Sequence, residues 1–288
     1  MSVVSYTTAQ VAETVKGVVN TMPETNLSIE IPVTGKFNPQ GQRMPSGIVV
    51  FDNGPLINVN PNISRLQAGM SILGFGAQAM AAGNFIADDF TLAEATNISS
   101  IVTYCYQTGS TTTSTITAVY IRIWDGVPGA PGSSIIWGDH VTNRLSDTSW
   151  SNIYRDSEGA PGATNRPIME NVANTPGLSL TAGTYWMDWG FDGSLGSGPW
   201  APPITINGLG TTGNGLQSTD SGITYPAALD SGNNQQQGFP FKLLKPDPND
   251  PFMAQSCEGA GGVIDENAPL VLTTMVSDMG VIGDNSFE

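Results

Sequence analysis

The sequence predicts an all-β protein: a two-sheet β-sandwich, of which a jelly roll is one form, carrying an extension at each end. Three observations predict it. First, polar and apolar residues alternate in short runs. Thr117–Trp124 sets Val119, Ile121 and Ile123 against Tyr120, Arg122 and Trp124, and Thr184–Phe191 sets Tyr185, Met187, Trp189 and Phe191 against Trp186 and Asp188. That period of two is what a half-buried strand requires. Second, the runs are separated by segments such as Asp125-Gly126-Val127-Pro128-Gly129-Ala130-Pro131-Gly132, which neither a helix nor a central strand accommodates. Third, 34 glycines and 20 prolines coexist with 39% hydrophobic residues and 23 aromatics, enough apolar material for a core and too much for a disordered chain.

In chain order, residues 1–46 form a leader. Ala9–Val19 has a weak helical period through Val11, Val15, Val18 and Val19. Leu27–Val33 alternates cleanly, with Leu27, Ile29, Ile31 and Val33 on one side. Pro32 removes a main-chain donor there, which suits an edge or partner-docking strand. The sandwich body spans 47–245. Its expected strands are Ile48–Asp52, Phe85–Leu92, Ile98–Gln107, Thr115–Trp124, Ile135–Trp137, Trp150–Arg155, Pro167–Val172, Gly183–Phe191, Pro203–Ile206, Gly215–Gln217 and Gly238–Leu244. Residues 246–288 open on Pro246-Asp247-Pro248-Asn249-Asp250-Pro251 and hold a second apolar run, Pro269–Val276, with Leu270 and Leu272 at alternate positions.

Charge narrows the function classes. The net charge is −15, and ten basic residues scattered over 288 positions make no phosphate-binding patch, so nucleic acid is not an expected partner. The imbalance is uneven: residues 246–288 carry eight acids and no Lys or Arg, whereas 1–83 carry four of each sign. No apolar run approaches the ~20 residues of a membrane span. Met1–Tyr6 lacks the basic start and apolar core of a signal peptide, which reads as a mature secreted form or as a protein made in the cytoplasm, as virion proteins are.

Candidate chemistry is sparse. The single histidine, His140, follows Asp139 in a turn and reads as a surface or hydrogen-bonded residue. With no Gly-x-Ser-x-Gly elbow in the chain, no hydrolase triad is expected. Asp188 and Asp192 flank Trp189 and Phe191, and Trp186 and Trp200 lie close in sequence. An acid-and-aromatic sugar platform is one reading, and plugs at the ends of the core the other. Calcium is the expected cofactor, if any, because it takes carboxylate and carbonyl oxygens. Asp88, Asp89 and Asp125 are the candidate ligands. Cys105 and Cys257 read either as a disulfide closing a long loop or as two buried thiols.

Several motifs in the body occur in a recognisable order: Phe51-Asp52-Asn53-Gly54-Pro55-Leu56, Ala87-Asp88-Asp89-Phe90-Thr91, Ile123-Trp124-Asp125-Gly126, Asn152-Ile153-Tyr154-Arg155, Ala182-Gly183-Thr184-Tyr185-Trp186 and Gly198-Pro199-Trp200-Ala201. With these the body resembles a family of secreted bacterial β-sandwich modules found in long cell-surface proteins. The resemblance implies an extracellular module with no assigned chemistry.

The function expected from the sequence is therefore non-enzymatic. It is a subunit of an extracellular filament, coat or virion surface, joined to copies of itself through the strand-bearing extensions, with Leu27, Ile29, Ile31, Val33, Leu270 and Leu272 at the joints. Burying four such side chains is worth on the order of 6–10 kcal/mol before ordering costs. The alternative is a calcium-dependent adhesion module that binds surface glycans through Trp186 and Trp200.

Overall fold

The computed structural model describes residues 47–248, all but the last two of which belong to one compact unit ending at Pro246. The leader and tail runs lie outside the described residues. The body is nearly all β. One sheet has six strands in the spatial order β1 (Ile48–Asp52), β15 (Phe241–Lys245), β6 (Ser100–Cys105), β10 (Pro167–Asn174), β9 (Leu145–Ser157), β2 (Ile63–Leu66). The other has five: β14 (Leu216–Ser218), β4 (Phe85–Leu92), β12 (Gly183–Gly193), β7 (Ile116–Trp124), β8 (Ile135–Asp139). Two short pairs complete it, β5 (Thr96–Asn97) with β11 (Ser179–Leu180) and β3 (Phe75–Gly76) with β13 (Trp200–Ala201). A single helical turn, α1, spans Ala79–Ala82. Every strand pair is antiparallel except β2 with β9.

The period of two puts the core between the two main sheets. From the five-stranded sheet come Ile86, Phe90, Val119, Ile121, Ile123, Met187, Trp189 and Phe191; from the six-stranded sheet come Ile101, Cys105, Met169, Ala173, Phe241 and Leu243. Aromatic rings meet across the gap: Trp189 lies 5.5 Å from Phe241 and 6.1 Å from Phe239, and Phe90 lies 6.3 Å from Phe241. Such edge-to-face pairs add about 0.5–1.5 kcal/mol each to the area they bury. The outer faces are covered as well. Loop residues Leu56 and Ile57 pack with Val102, Tyr104 and Ile168 outside the larger sheet. Tyr225 packs with Trp124, Trp186 and Ala87 outside the smaller one.

This is the expected two-sheet sandwich; the strand orders lend the jelly-roll form no support. β1 and β4 have the expected limits, and β7 begins one residue late. The expected strand Pro203–Ile206 is irregular chain instead, since Pro202 and Pro203 supply no ladder donors. β2, β3, β5, β11 and β13 were not expected. At two to four residues they are too short to show a period.

Both ends of the body lie side by side. β1 and β15 are antiparallel neighbours, with Ile48 opposite Lys245. The chain enters and leaves the sandwich at one corner.

Candidate functional site

The chemistry-bearing residues gather on the outer face of the five-stranded sheet. The β12–β7 register places Asp188 opposite Arg122 and Trp186 opposite Trp124, and side chains directly across a ladder are in reach of each other. Arg122 Nε donates to Asp188 Oδ2 at 3.0 Å, and Trp124 Nε1 donates to the same oxygen. His140, from the turn after β8, hydrogen-bonds Asp188 Oδ1 through Nε2, and its ring stacks on Phe85 at 3.5 Å. Asp188 is fully buried. A carboxylate is tolerable there because three donor groups surround it.

The same network holds down a loop. Arg122 Nη2 donates to Tyr225 Oη at 2.6 Å and to the carbonyl of Gly222 at 3.2 Å. Gly222 has φ +79°, and a Cβ on it would lie 2.5 Å from Arg122 Nη2 and 2.8 Å from His140 Cε1. Only glycine fits both the backbone and the space. Asp220 closes the loop on itself, accepting from the Thr224 hydroxyl at 2.6 Å, the Thr224 N–H at 3.0 Å and the Ile223 N–H at 3.1 Å. These bonds, the Thr224 hydroxyl first, hold its carboxyl below the usual range. Burial, followed by the Asp188 charge, pushes the Tyr225 phenol upward. Chemically the arrangement is a strut. Among the described residues no hydroxyl or thiol is hydrogen-bonded to His140.

The other sequence candidates are dispersed. Asp88 and Asp89 project to opposite faces of β4, as adjacent strand residues must. Asp88 is buried in the sandwich, accepting from Phe239 N at 2.6 Å and Asn53 Nδ2 at 3.0 Å, and burial raises its carboxyl to about 7. Asp125 closes the β7–β8 turn by accepting from Ser134 N at 2.6 Å. The three candidate calcium ligands are thus not brought together, and the described residues contain no group of three His, Cys, Asp or Glu able to hold a metal ion. Asp192 shares the outer face with Asp188 but is taken by Tyr120 Oη at 2.8 Å and Met80 N at 3.1 Å. Trp186 and Trp200 pack in separate clusters, outside the smaller and the larger sheet respectively, and form no common sugar platform. Cys105 is a free, fully buried thiol, raised by burial and receiving Asn171 Nδ2 at 3.3 Å. Cys257, Leu27, Ile29, Ile31, Val33, Leu270 and Leu272 lie outside the described residues.

A second polar centre, at the β2 edge, was missed in the sequence. Arg65 in β2 and Asp156 in β9 form a two-pronged ion pair, Nη2–Oδ2 2.6 Å and Nε–Oδ1 2.8 Å. Beside it Arg155 is fully buried, with Nε on the Leu73 carbonyl at 2.8 Å and Nη1 on Ser64 Oγ at 3.0 Å. An open depression lies outside, lined by Asn58, Arg65, Gln67, Glu158 and Asn207 among others. The parallel β2–β9 pairing that assembles this centre joins segments about 90 residues apart, and no local pattern signals it.

No family model, curated protein or solved structure matches the chain.

Proposed function

We propose that the protein is a non-enzymatic structural module that assembles with copies of itself through its extensions, at a cell surface, in an extracellular coat or on a virion exterior. The observation that carries this reading is the corner at Ile48 and Lys245. There the two extensions leave together from a body that already closes its own core. Leu27–Val33 and Pro269–Val276 are apolar runs outside the described body, and burial in a neighbouring copy would give them a use. The Asp188 strut supports the same reading, because the sole histidine and its carboxylate are engaged in holding a loop. Light scattering and electron microscopy of the full chain beside a 47–248 fragment test it. The full chain should form large assemblies and the fragment a folded monomer; equal assembly by the fragment would remove the extensions from the account.

A second reading, glycan adhesion, draws support from the open depression at the β2 edge. Its amides already bond one another and the main chain, Gln67 to Asn207, Asn207 to the Asn58 carbonyl and Asn58 to Arg65, and a sugar hydroxyl would use the second N–H and lone pair that each amide carries. A glycan array probed with and without EDTA separates the readings: specific, chelator-sensitive binding by a monomeric full chain would favour adhesion.

A further inference from the structure

Exposed apolar side chains collect on one side of the body. Of the eleven large ones among the described residues, Val127, Ile135, Ile136, Val141 and Ile223 lie on β8 or in the chain around it. Ile135 sits opposite Trp124 in the β7–β8 ladder and so shares the outer face, where Tyr225 packs on Trp124. The segment 222–225 joins the rest. A Cβ on Gly129, in the β7–β8 turn that carries Val127, would lie 3.3 Å from the Ile223 carbonyl oxygen, and Gly222 abuts His140, the neighbour of Val141. Ile223 is 72% exposed and Val141 82%. Single apolar residues on a surface need no explanation, but a group of them beside one strand marks a contact.

The group borders a sheet edge. β8 is the last described strand of its sheet, and around its bulge Ile135 and Ile136 are both exposed. A bulge keeps off the flat sheet of a second body, whereas a lone strand can follow it. Of the two apolar runs in the extensions, Leu27–Val33 suits this place. Its four apolar side chains fall on one side and Ser28, Glu30 and Pro32 on the other, as a strand with one covered and one wet face requires. Leu270-Val271-Leu272 is apolar on both sides and would leave one of them in water.

Resting on the assembly reading above, we propose that the β8 edge and the apolar group beside it receive Leu27–Val33 of a neighbouring copy as an added strand. Seven extended residues reach about 20 Å, enough to pass the whole of β8, about 13 Å from Ile135 to Asp139, and touch the turn at each of its ends. The donor leaves from a different side of the body. β1 packs against β4 and β9 against β7, which leaves β8 three strand spacings, about 14 Å, beyond β4. Each copy therefore gives a strand at one corner and receives one at the far edge. Unlike surfaces joined head to tail build a ring or an open filament, not a two-fold pair.

Light scattering of full-length chains tests the joint. Val141→Asp combined with Ile223→Asp, both at water-facing positions, should keep the wild-type melting temperature and lose assembly. Mixed with Ile29→Asp, which lacks the donor face and keeps the acceptor, this double variant should form a one-to-one dimer and stop there, because only one joint is left between them. Assembly of the double variant at the wild-type level overturns the proposal and leaves the extension reading standing; a wild type that stays monomeric overturns both. Ile29→Asp assembling by itself, as docking by Pro269–Val276 would allow, overturns the proposal, and so does a mixture that stays monomeric or grows long assemblies. Should the double variant melt lower than the wild type, Ile136→Lys at the bulge takes its place under the same outcomes.

Discussion

Asp88 and Asp188 are both buried carboxylates on strands of the same sheet, yet they are stabilised in opposite ways. Asp188 faces a cation, a histidine and an indole N–H, whereas Asp88 faces only neutral donors and is raised to about 7 by burial. For Asp88 the folded value lies above the ordinary 3.8. Its contribution is therefore fully present below about pH 4 and is lost as the pH rises toward 7, about 4 kcal/mol in all. Asp88→Asn should remove that slope, so that the melting difference between variant and wild type grows from pH 4 to pH 8 in favour of the variant; parallel curves would refute it. Asp188→Asn should cost about 3–5 kcal/mol in urea unfolding, since it strips the counter-charge from a mostly buried Arg122. Little of this was legible beforehand. His140 and Asp188 are 48 positions apart, and only the pairing of β12 with β7 and the return of the chain through β8 bring them together. Asp88 and Asp89 read as neighbouring ligands because adjacency in sequence is visible and the opposed faces of a strand are easily overlooked.

At the scale of the element, long strands were readable and short ones were not. β4, β7 and β12 carry eight or more residues of alternation, enough to declare both their existence and their buried face. β2, with four residues, and its parallel partnership with β9 had no local signature. The sheet edges bear on the proposed assembly through the extensions. β1 and β8 each carry a bulge, at Val50 and Ile136. The outer side of β2 is engaged by Asn58, which exchanges two bonds with the main chain of Arg65. β14 is bonded through Gln217 N to the carbonyl of Pro226. Blunted edges resist sheet-to-sheet association, so the joint is expected in Leu27–Val33. Ile29→Asp or Ile31→Asp should then abolish assembly and leave the monomer's melting temperature unchanged, while Glu30→Gln on the opposite face should assemble normally. A loss of monomer stability in Ile29→Asp would place this strand in its own sandwich.

For the whole molecule, fold class followed from composition and period together, because both report on how much apolar surface must be hidden and in what rhythm. Strand order did not follow, since antiparallel neighbours such as β15 and β6 are joined only by contacts more than 130 residues apart. The location of the termini was equally invisible, and it has a mechanical consequence. With Ile48 opposite Lys245, tension applied through the two extensions pulls β1 and β15 apart from their shared end. The ladder between them is loaded one hydrogen bond at a time, as a zipper is, instead of being sheared along its length. A subunit linked to its neighbours by both extensions would yield at low force by peeling β1 from the sheet edge, lengthening the connection while the remaining strands stay paired. In an extended assembly that gives each subunit a compliant joint at its corner, a shock absorber in series with a stiff sandwich.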